Sequence, residues 1–158
     1  METKQIVPDS LKSIERRPLN PGALPGLLGY RLRLAQQAVF RDFAASVQGL
    51  SPGRVGLLVY IDANPGVTQS RLAEAAERDR STMVGVLDQL EARGLIERRR
   101  GTDRRTNGLW LTRNGRALLG RALQAIARHE RRISARLSMA ERRQLLELLG
   151  KISLQPPA

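Results

Sequence analysis

Cysteine is absent from the sequence, and histidine occurs once, as His129. Without cysteine the chain has no disulfide, no thiolate metal site, no cysteine nucleophile and no thiol redox switch. A single histidine also disfavours a metal-sensing site. We therefore expect neither a bound metal ion nor a cofactor, and we interpret His129 as a hydrogen-bonded histidine of the core or of a subunit interface.

Long apolar runs are absent as well. The first 22 residues mix charged residues and prolines, without the continuous apolar stretch that is typical of signal peptides. No later run approaches the length that a membrane-spanning helix needs. These absences predict a soluble, cytoplasmic protein.

The signatures of common catalytic sites are also missing. We find no nucleophile elbow, no zinc-binding histidine pair, no phosphate-binding glycine loop and no convincing pair of carboxylates. The sequence therefore predicts a protein that is not an enzyme.

Positive charge is the most prominent feature that the sequence does contain. The 158 residues include 27 lysines and arginines against 15 aspartates and glutamates, a formal net charge of +12. Such an excess favours nucleic acid or another anionic surface as the partner. A basic surface can also serve only to keep a protein solvated, so the motifs must decide between these interpretations.

Apolar residues at helical spacing, separated by glycine, proline and capping residues, organise most of the chain. The predicted helices span 25–47, 52–63, 69–76, 80–93 and 113–137, with a last helix that begins at 139. Their starts are marked by the N-cap candidates Ser51, Thr68, Asp79 and Thr112 and by a capping box from Ser138 to Glu141.

Two short strands are predicted between the fourth and fifth helices. Residues 95–100 and 108–111 alternate in polarity around the turn-forming segment Gly101-Thr102-Asp103. A hairpin that follows a helix pair is a wing. The fold class is therefore mainly α with a small β wing, arranged as a winged helix-turn-helix.

The start of the fourth helix carries residues suited to DNA. In a winged helix-turn-helix, one helix enters the major groove and the hairpin reaches the flanking minor groove. Arg80, Ser81 and Thr82 offer a forked cation and two hydroxyls at a helix N-terminus, where base edges and phosphates are met. We predict that these three residues contact DNA.

The wing adds a cluster of arginines, which are attracted to the negative potential of a narrow minor groove. The candidates for DNA contact on the wing are Arg98, Arg100, Arg104 and Arg105, with Arg99 between the first two. Asp103 lies among these cations. We expect it to pair with Arg105 or a neighbouring arginine and to hold the wing tip rather than to contact DNA.

Four segments resemble the signature of the multiple-antibiotic-resistance regulator (MarR) family. They are 79–82, 90–98, 103–105 and 111–115, and the resemblance covers residues 25–153 in order. It implies an obligate homodimer whose first, fifth and sixth helices interdigitate, and whose winged modules bind a pseudo-palindromic operator in double-stranded DNA. It also implies that Arg104 or Arg105 enters the minor groove.

The residue pattern and the resemblance together predict four parts of one composite domain. These are an N-terminal arm at 1–24, a dimerisation helix at 25–50, a DNA-binding module at 51–112 and the C-terminal dimerisation helices at 113–158. The sequence departs from the family at Gly85, where many members carry a larger polar or basic side chain, so base contacts at that point are in doubt.

Members of this family often lose DNA affinity when a small aromatic acid, a phenolic compound or an acyl-CoA thioester binds between the dimer helices and the winged module. Candidate effector-binding residues are the aromatic Tyr30, Phe40, Phe43 and Tyr60 and the cationic Arg31 and Arg33. Arg31 and Arg33, with Arg16 and Arg17 upstream, are also candidates for the phosphates of CoA. The same aromatic rings suit core or dimer packing, so that interpretation stays open.

The predicted function is therefore a sequence-specific transcription regulator, expected to be a repressor that a small ligand releases. Two alternatives remain. One is a DNA-architectural protein that binds without regulation, and the other is a basic adaptor for protein interactions, which would show no salt-dependent affinity for DNA.

Overall fold

The computed structural model describes residues 18–100 and 107–152. The chain divides into two units at Gln37. The described residues form a short 3₁₀ turn, six α-helices and three strands. In chain order these are the turn Leu24–Gly26, α1 Leu28–Ser46, α2 Pro52–Ala63, β1 Val67–Thr68, α3 Gln69–Ala75, α4 Arg80–Ala92, β2 Ile96–Arg100, β3 Asn107–Leu111, α5 Arg113–Ile133 and α6 Met139–Ile152.

The predicted helix caps are confirmed. Ser51 and Thr68 accept hydrogen bonds from backbone N–H groups three residues on, and Thr112 accepts one from Gly115 at 3.0 Å. The capping box also forms, because the backbone N–H of Ser138 donates to Glu141 at 2.8 Å while the N–H of Glu141 donates back at 3.2 Å. Each cap satisfies an N–H that has no partner inside the helix.

Two predicted helix ends are wrong by a few residues. The first helix begins at Leu28 rather than at position 25, because the 3₁₀ turn comes first. The fifth helix ends at Ile133 rather than at position 137. Ser134 closes it, donating its hydroxyl to the carbonyl oxygen of Glu130 at 2.5 Å, and the chain then has to turn before Ser138 begins α6.

The wing is confirmed, within a sheet that is one strand larger than predicted. The antiparallel order is β1-β3-β2, so the central strand β3 pairs with both others. The two residues of β1 are too few to show an alternating pattern, which is why the sequence did not reveal this strand. The wing tip, residues 101–106, lies outside the described residues, and with it the predicted residues Asp103, Arg104 and Arg105.

The hydrophobic core lies mainly in residues 50–119. Leucines, isoleucines and one methionine from α2 to α4 pack with the strands and with the start of α5. The side chains that are most completely buried are Leu57, Leu58, Ile61, Leu72, Met83, Leu87, Leu90, Ile96 and Leu109. The helix pair and the wing are therefore held as one packed body.

His129 is a buried, hydrogen-bonded histidine, as predicted. Its Nδ1 lies 2.6 Å from Oδ1 of Asp42 on α1, and its ring makes an edge contact with Phe43. Arg132 donates to the same carboxylate at 2.8 Å. Hydrogen bonds from Arg132 and His129 hold the pKa of the Asp42 carboxyl well below its usual range. Asp42 is therefore ionised and accepts the Nδ1 proton of His129.

Some apolar helix faces are not covered by the residues that the structure describes. Helix α6 has no buried residue, although its apolar positions keep helical spacing. Leu145, Leu148, Leu149 and Ile152 are 37–48% exposed. Among the described residues, no helix combines the length and apolar character needed to cross a membrane.

Helix α5 begins in direct backbone contact with the wing. A Cβ atom at Gly115 would lie 1.9 Å from the carbonyl oxygen of Leu95, so this position holds no side chain without displacement. Thr112 strengthens the contact, because its hydroxyl donates to the carbonyl oxygen of Gly94 at 2.6 Å. A Cβ at Gly120, later in the same helix, would meet nothing within 4 Å.

We predict that Gly115→Ala lowers the free energy of unfolding by about 1–3 kcal/mol, because the added methyl group forces the helix away from Leu95. Gly120→Ala is the matched control. It should raise the stability by about 0.5–1 kcal/mol, since alanine reduces the entropy of the unfolded chain. Urea unfolding followed by circular dichroism, at one fixed protein concentration, measures both. Equal effects of the two substitutions would contradict the contact.

Candidate DNA interface

The start of α4 is organised by its N-cap, Asp79. Oδ1 of Asp79 accepts hydrogen bonds from the backbone N–H of Thr82 and from the hydroxyl of Ser81, both at 2.7 Å. Hydrogen bonds from Thr82 and Ser81 hold the pKa of the Asp79 carboxyl well below its usual range. Because the Ser81 hydroxyl donates its proton to Asp79, its lone pairs remain to accept hydrogen bonds from a ligand.

Arg80, Ser81 and Thr82 are all exposed. In the described residues the Arg80 guanidinium makes no ion pair, so it is available to an anionic or hydrogen-bonding partner. Further along α4, Val84 is 41% exposed, and a Cβ at Gly85 would meet nothing within 4 Å. The surface of α4 thus combines a cation, hydroxyls, one apolar side chain and an open position at Gly85.

Arg98, on β2, has partners within the protein. Its Nη2 lies 2.7 Å from Oδ1 of Asp88, its Nη1 pairs with Glu91, and its backbone N–H donates to Glu91 at 3.2 Å. The side chain is 23% exposed. Arg98 therefore ties the wing strand to α4, a role that the sequence analysis did not give it.

The next two arginines differ from Arg98. Arg99 pairs with Glu97 and lies over the ring of Trp110, with its Cζ 5.6 Å from the ring centroid. The same ring packs so closely on Gly108 that a Cβ there would lie 2.5 Å from it. Arg100 is exposed at the end of β2, beside the wing tip. Of the two predicted wing residues that are described, Arg98 is paired, whereas Arg100 is exposed and makes no ion pair with a described residue.

The candidate effector-binding residues fall in both units of the chain. In residues 18–37, the Nε of Arg31 donates to the carbonyl oxygen of Pro25 at 2.7 Å. Arg33 lies over the ring of Tyr30, with 5.1 Å between its Cζ and the ring centroid. A cation–π interaction therefore holds the Arg33 guanidinium against the ring of Tyr30.

Phe40, Phe43 and Tyr60 belong to residues 38–152. Phe43 is buried against His129, which supports core packing for this ring, whereas Phe40 is 49% exposed. Tyr60 donates its hydroxyl to the carbonyl oxygen of Ala75 at 3.2 Å and lines two open clefts between α2 and α3, of about 450 and 330 Å³. Arg71 lines the larger cleft, which therefore has a phenol and a guanidinium in its wall.

Sequence reasoning missed three functional or structural positions. Val84 lies outside the apolar stripe of its helix, and an apolar residue at a position predicted to face solvent could have indicated a contact surface. Trp110 is the single tryptophan of the chain, but nothing in the pattern indicated its contact with Arg99. Asp42 lies 87 positions from His129, so no local pattern could reveal their pairing. Within the described ranges, no group of three or more potential ligands could hold a metal ion.

Comparisons with known proteins agree with this geometry. A model described as the MarR family matches residues 48–106. A putative transcriptional regulatory protein for the hcr operon of Thauera aromatica is 45% identical over 138 residues, which cover 85% of this chain and 83% of that protein.

Two solved structures of the transcriptional repressor CouR are also similar. The structure bound to a 23-mer DNA duplex is 42% identical with a TM-score of 0.82, and the one bound to p-coumaroyl-CoA is 40% identical with a TM-score of 0.81. Each match covers 87% of this chain and 99% of CouR. With its winged helix fold and these relatives, the chain belongs to the MarR family of transcriptional regulators.

Proposed function

We propose that the protein is a homodimeric repressor that binds a pseudo-palindromic operator and releases it when an aromatic acyl-CoA thioester or a related aromatic acid binds. One observation carries the DNA-binding part of the proposal. Arg80, Ser81 and Thr82 stand exposed at the start of a capped helix, directly before a basic wing. The likeness to CouR, whose structure was solved with a DNA duplex, supports the same assignment.

Each residue of α4 has a distinct role in this proposal. The Arg80 guanidinium suits the O6 and N7 acceptors of guanine. Ser81, which can only accept, suits an amino group of adenine or cytosine, and Thr82 suits a phosphate or a base edge. The exposed Val84 suits the methyl group of thymine. The four side chains together supply the sequence preference, and the space at Gly85 lets the duplex approach the helix closely.

The wing residues divide into two roles. Arg100, with Arg104 and Arg105 at the tip, enters the minor groove, and Asp103 holds the tip. Arg98 acts indirectly, because its ion pairs with Asp88 and Glu91 fix the angle between wing and helix.

The uncovered apolar faces of the C-terminal helices support a dimer, which would bind the operator with two modules. A row of half-exposed leucines on α6 is too extensive for a surface helix that faces only water. We assign residues 25–50 and 113–158 to a dimer interface and 51–112 to the DNA-binding module. Two modules related by a twofold axis would place their α4 helices about 34 Å apart, one turn of DNA.

The ligand class rests on CouR, for which a complex with p-coumaroyl-CoA is known. We assign the acyl group to the cleft beside Tyr60, and we keep Tyr30 and Phe40 as candidates for its aromatic ring and Arg31 and Arg33 as candidates for the anionic part of the ligand. Phe43 is left to the core, where it packs against His129. The larger cleft beside Tyr60 has a volume within the range of small-molecule sites. Ligand binding then favours a conformer whose two modules no longer match both half-sites. Nearly complete release requires the ligand to discriminate between the conformers by about 5 kcal/mol.

We predict that Arg80→Ala weakens binding to the operator by about 10- to 100-fold and reduces the preference for operator over scrambled DNA, because a bidentate contact to guanine is lost. Fluorescence anisotropy with labelled duplexes at fixed salt measures both quantities. Arg143→Ala, an exposed arginine on α6 that loses the same charge, should leave both unchanged. If the two variants behaved alike, Arg80 would contribute charge alone.

We predict that Leu149→Glu weakens dimerisation by about 100-fold or more, since the new carboxylate would have to be buried at the interface. Ala140→Glu adds the same charge on the side of α6 opposite to Leu149 and should not change the association. Sedimentation equilibrium measures the dimer in each case. A wild-type protein that sediments as one chain would contradict the proposal, as would dissociation in the control.

We predict that p-coumaroyl-CoA releases the protein from its own upstream intergenic DNA in a gel-shift titration, and that Arg31→Ala/Arg33→Ala weakens the response to the thioester more than the response to free p-coumarate. The reason is that the free acid lacks the phosphates of CoA. If calorimetry showed equal binding of the thioester to the wild type and to the double variant, the assignment of Arg31 and Arg33 to the ligand would be wrong. Salt-sensitive DNA binding that ignores both sequence and ligands would favour a DNA-architectural protein.

A further inference from the structure

The positive charge of the chain is concentrated outside the proposed DNA-binding module. Residues 51–112 contain ten basic and eight acidic residues, a net charge of +2. Residues 113–158 contain ten basic and three acidic residues, a net charge of +7. The C-terminal helices, which the family resemblance assigns to dimerisation, therefore carry more than half of the total charge of +12.

Four arginines lie along one side of α5, and we call this set the α5 arginine stripe. At 100° per residue, these side chains emerge within about 80° of one another around the helix axis. They are Arg113, Arg121, Arg128 and Arg131. All four are exposed, and the opposite side of the helix carries its buried residues, among them Leu119, Ala122 and His129.

The stripe lacks the compensating charges that a solvated helix face commonly has. Helix α5 contains six arginines and one acidic residue, Glu130. In the part of the chain that the structure describes, none of the four stripe arginines pairs with a carboxylate. By contrast, Arg132 is held by Asp42 and Arg142 by Glu130. Arg128 and Arg131 are three residues apart on the helix and repel each other, so this part of the stripe is electrostatically unfavourable until an anion binds.

The stripe starts at the base of the wing. Helix α5 begins one residue after β3, and Arg116 is anchored there by donating to the carbonyl oxygen of Leu111 at 2.9 Å. From Arg113 to Arg131 the helix rises about 27 Å, at about 1.5 Å per residue. A duplex of that length carries about 16 phosphate charges.

We infer that the α5 arginine stripe is a second contact surface for the phosphates of double-stranded DNA, separate from α4 and the wing and indifferent to base sequence. The inference rests on the proposed function, since it adds to the affinity of the same complex. The length of the stripe argues for DNA over the phosphates of a CoA ligand. The stripe is about 27 Å long, which is further than the phosphates of one CoA molecule extend, whereas a duplex carries phosphates along that whole length.

The test compares Arg121→Gln/Arg128→Gln with a control of equal charge, Arg136→Gln/Arg143→Gln. Affinities for the operator and for a scrambled duplex of the same length are measured by anisotropy over a range of salt concentrations. We expect the stripe variant to lower the slope of log affinity against log salt by about 2, at roughly 0.9 per phosphate contact. Both duplexes should weaken by the same factor, and the control should keep the wild-type slope.

Three outcomes would overturn the inference. The first is a slope of the stripe variant equal to that of the control, and the second is a loss confined to the operator. The third is dissociation of the stripe variant alone in sedimentation equilibrium, which would make the stripe a subunit contact. An unchanged slope together with weaker binding of free CoA would assign the stripe to the ligand instead. A wild-type protein with no preference for the operator would refute the proposed function. The stripe can still be tested in that case, because the salt slope is also measured on scrambled DNA.

Discussion

The backbone contact between Gly115 and the carbonyl of Leu95 is the constraint on which the rest of the structure depends. It leaves no room for a side chain where α5 leaves the sheet, and so it fixes the direction of that helix relative to the wing. The Thr112 hydroxyl reinforces the junction through the carbonyl of Gly94. Because a packed junction transmits displacement instead of absorbing it, a shift of the long helix must move the wing. A regulator that changes the spacing of two DNA-binding modules needs this kind of rigid connection.

A second set of contacts fixes the DNA-binding surface itself. Arg98 joins the wing to α4 through Asp88 and Glu91, while Asp79 organises the first turn of α4. Acidic residues inside a DNA-binding module weaken the attraction to phosphate, and here they nearly cancel its basic residues. The acidic residues of the module therefore lower its nonspecific affinity for DNA, while they hold the wing and the first turn of α4 in a fixed geometry. On the proposed assignment, a few positioned side chains contact the bases, and other surfaces supply most of the attraction to the phosphates.

Much of the fold could be predicted from the sequence because local residue patterns determine the helix ends and the hairpin. The caps at Ser51, Thr68 and Thr112 and the hairpin between α4 and α5 all follow from residues within a few positions of one another. The start of α4 could be recognised for the same reason. The misses are of another kind. Strand β1 exists only because β3 lies beside it, and the partners of Arg98 are chosen by tertiary packing. The pairing of Asp42 with His129 joins two distant helices. Such contacts form only in the completed fold, and no single segment of the sequence predicts them.

Helix α6 has no residue that the described part of the chain buries, and on the proposed dimer this makes the regulator sensitive to its own concentration in the cell. On the proposed dimer, the leucines of α6 are covered only when two copies meet, so the stability of this helix rises with protein concentration. At low copy number, single chains would expose an apolar helix to proteases and would lack the twofold symmetry that an operator requires. Occupancy of the operator would then depend on the square of the monomer concentration. The regulated genes would respond to the supply of the repressor with a threshold, even before any ligand is present.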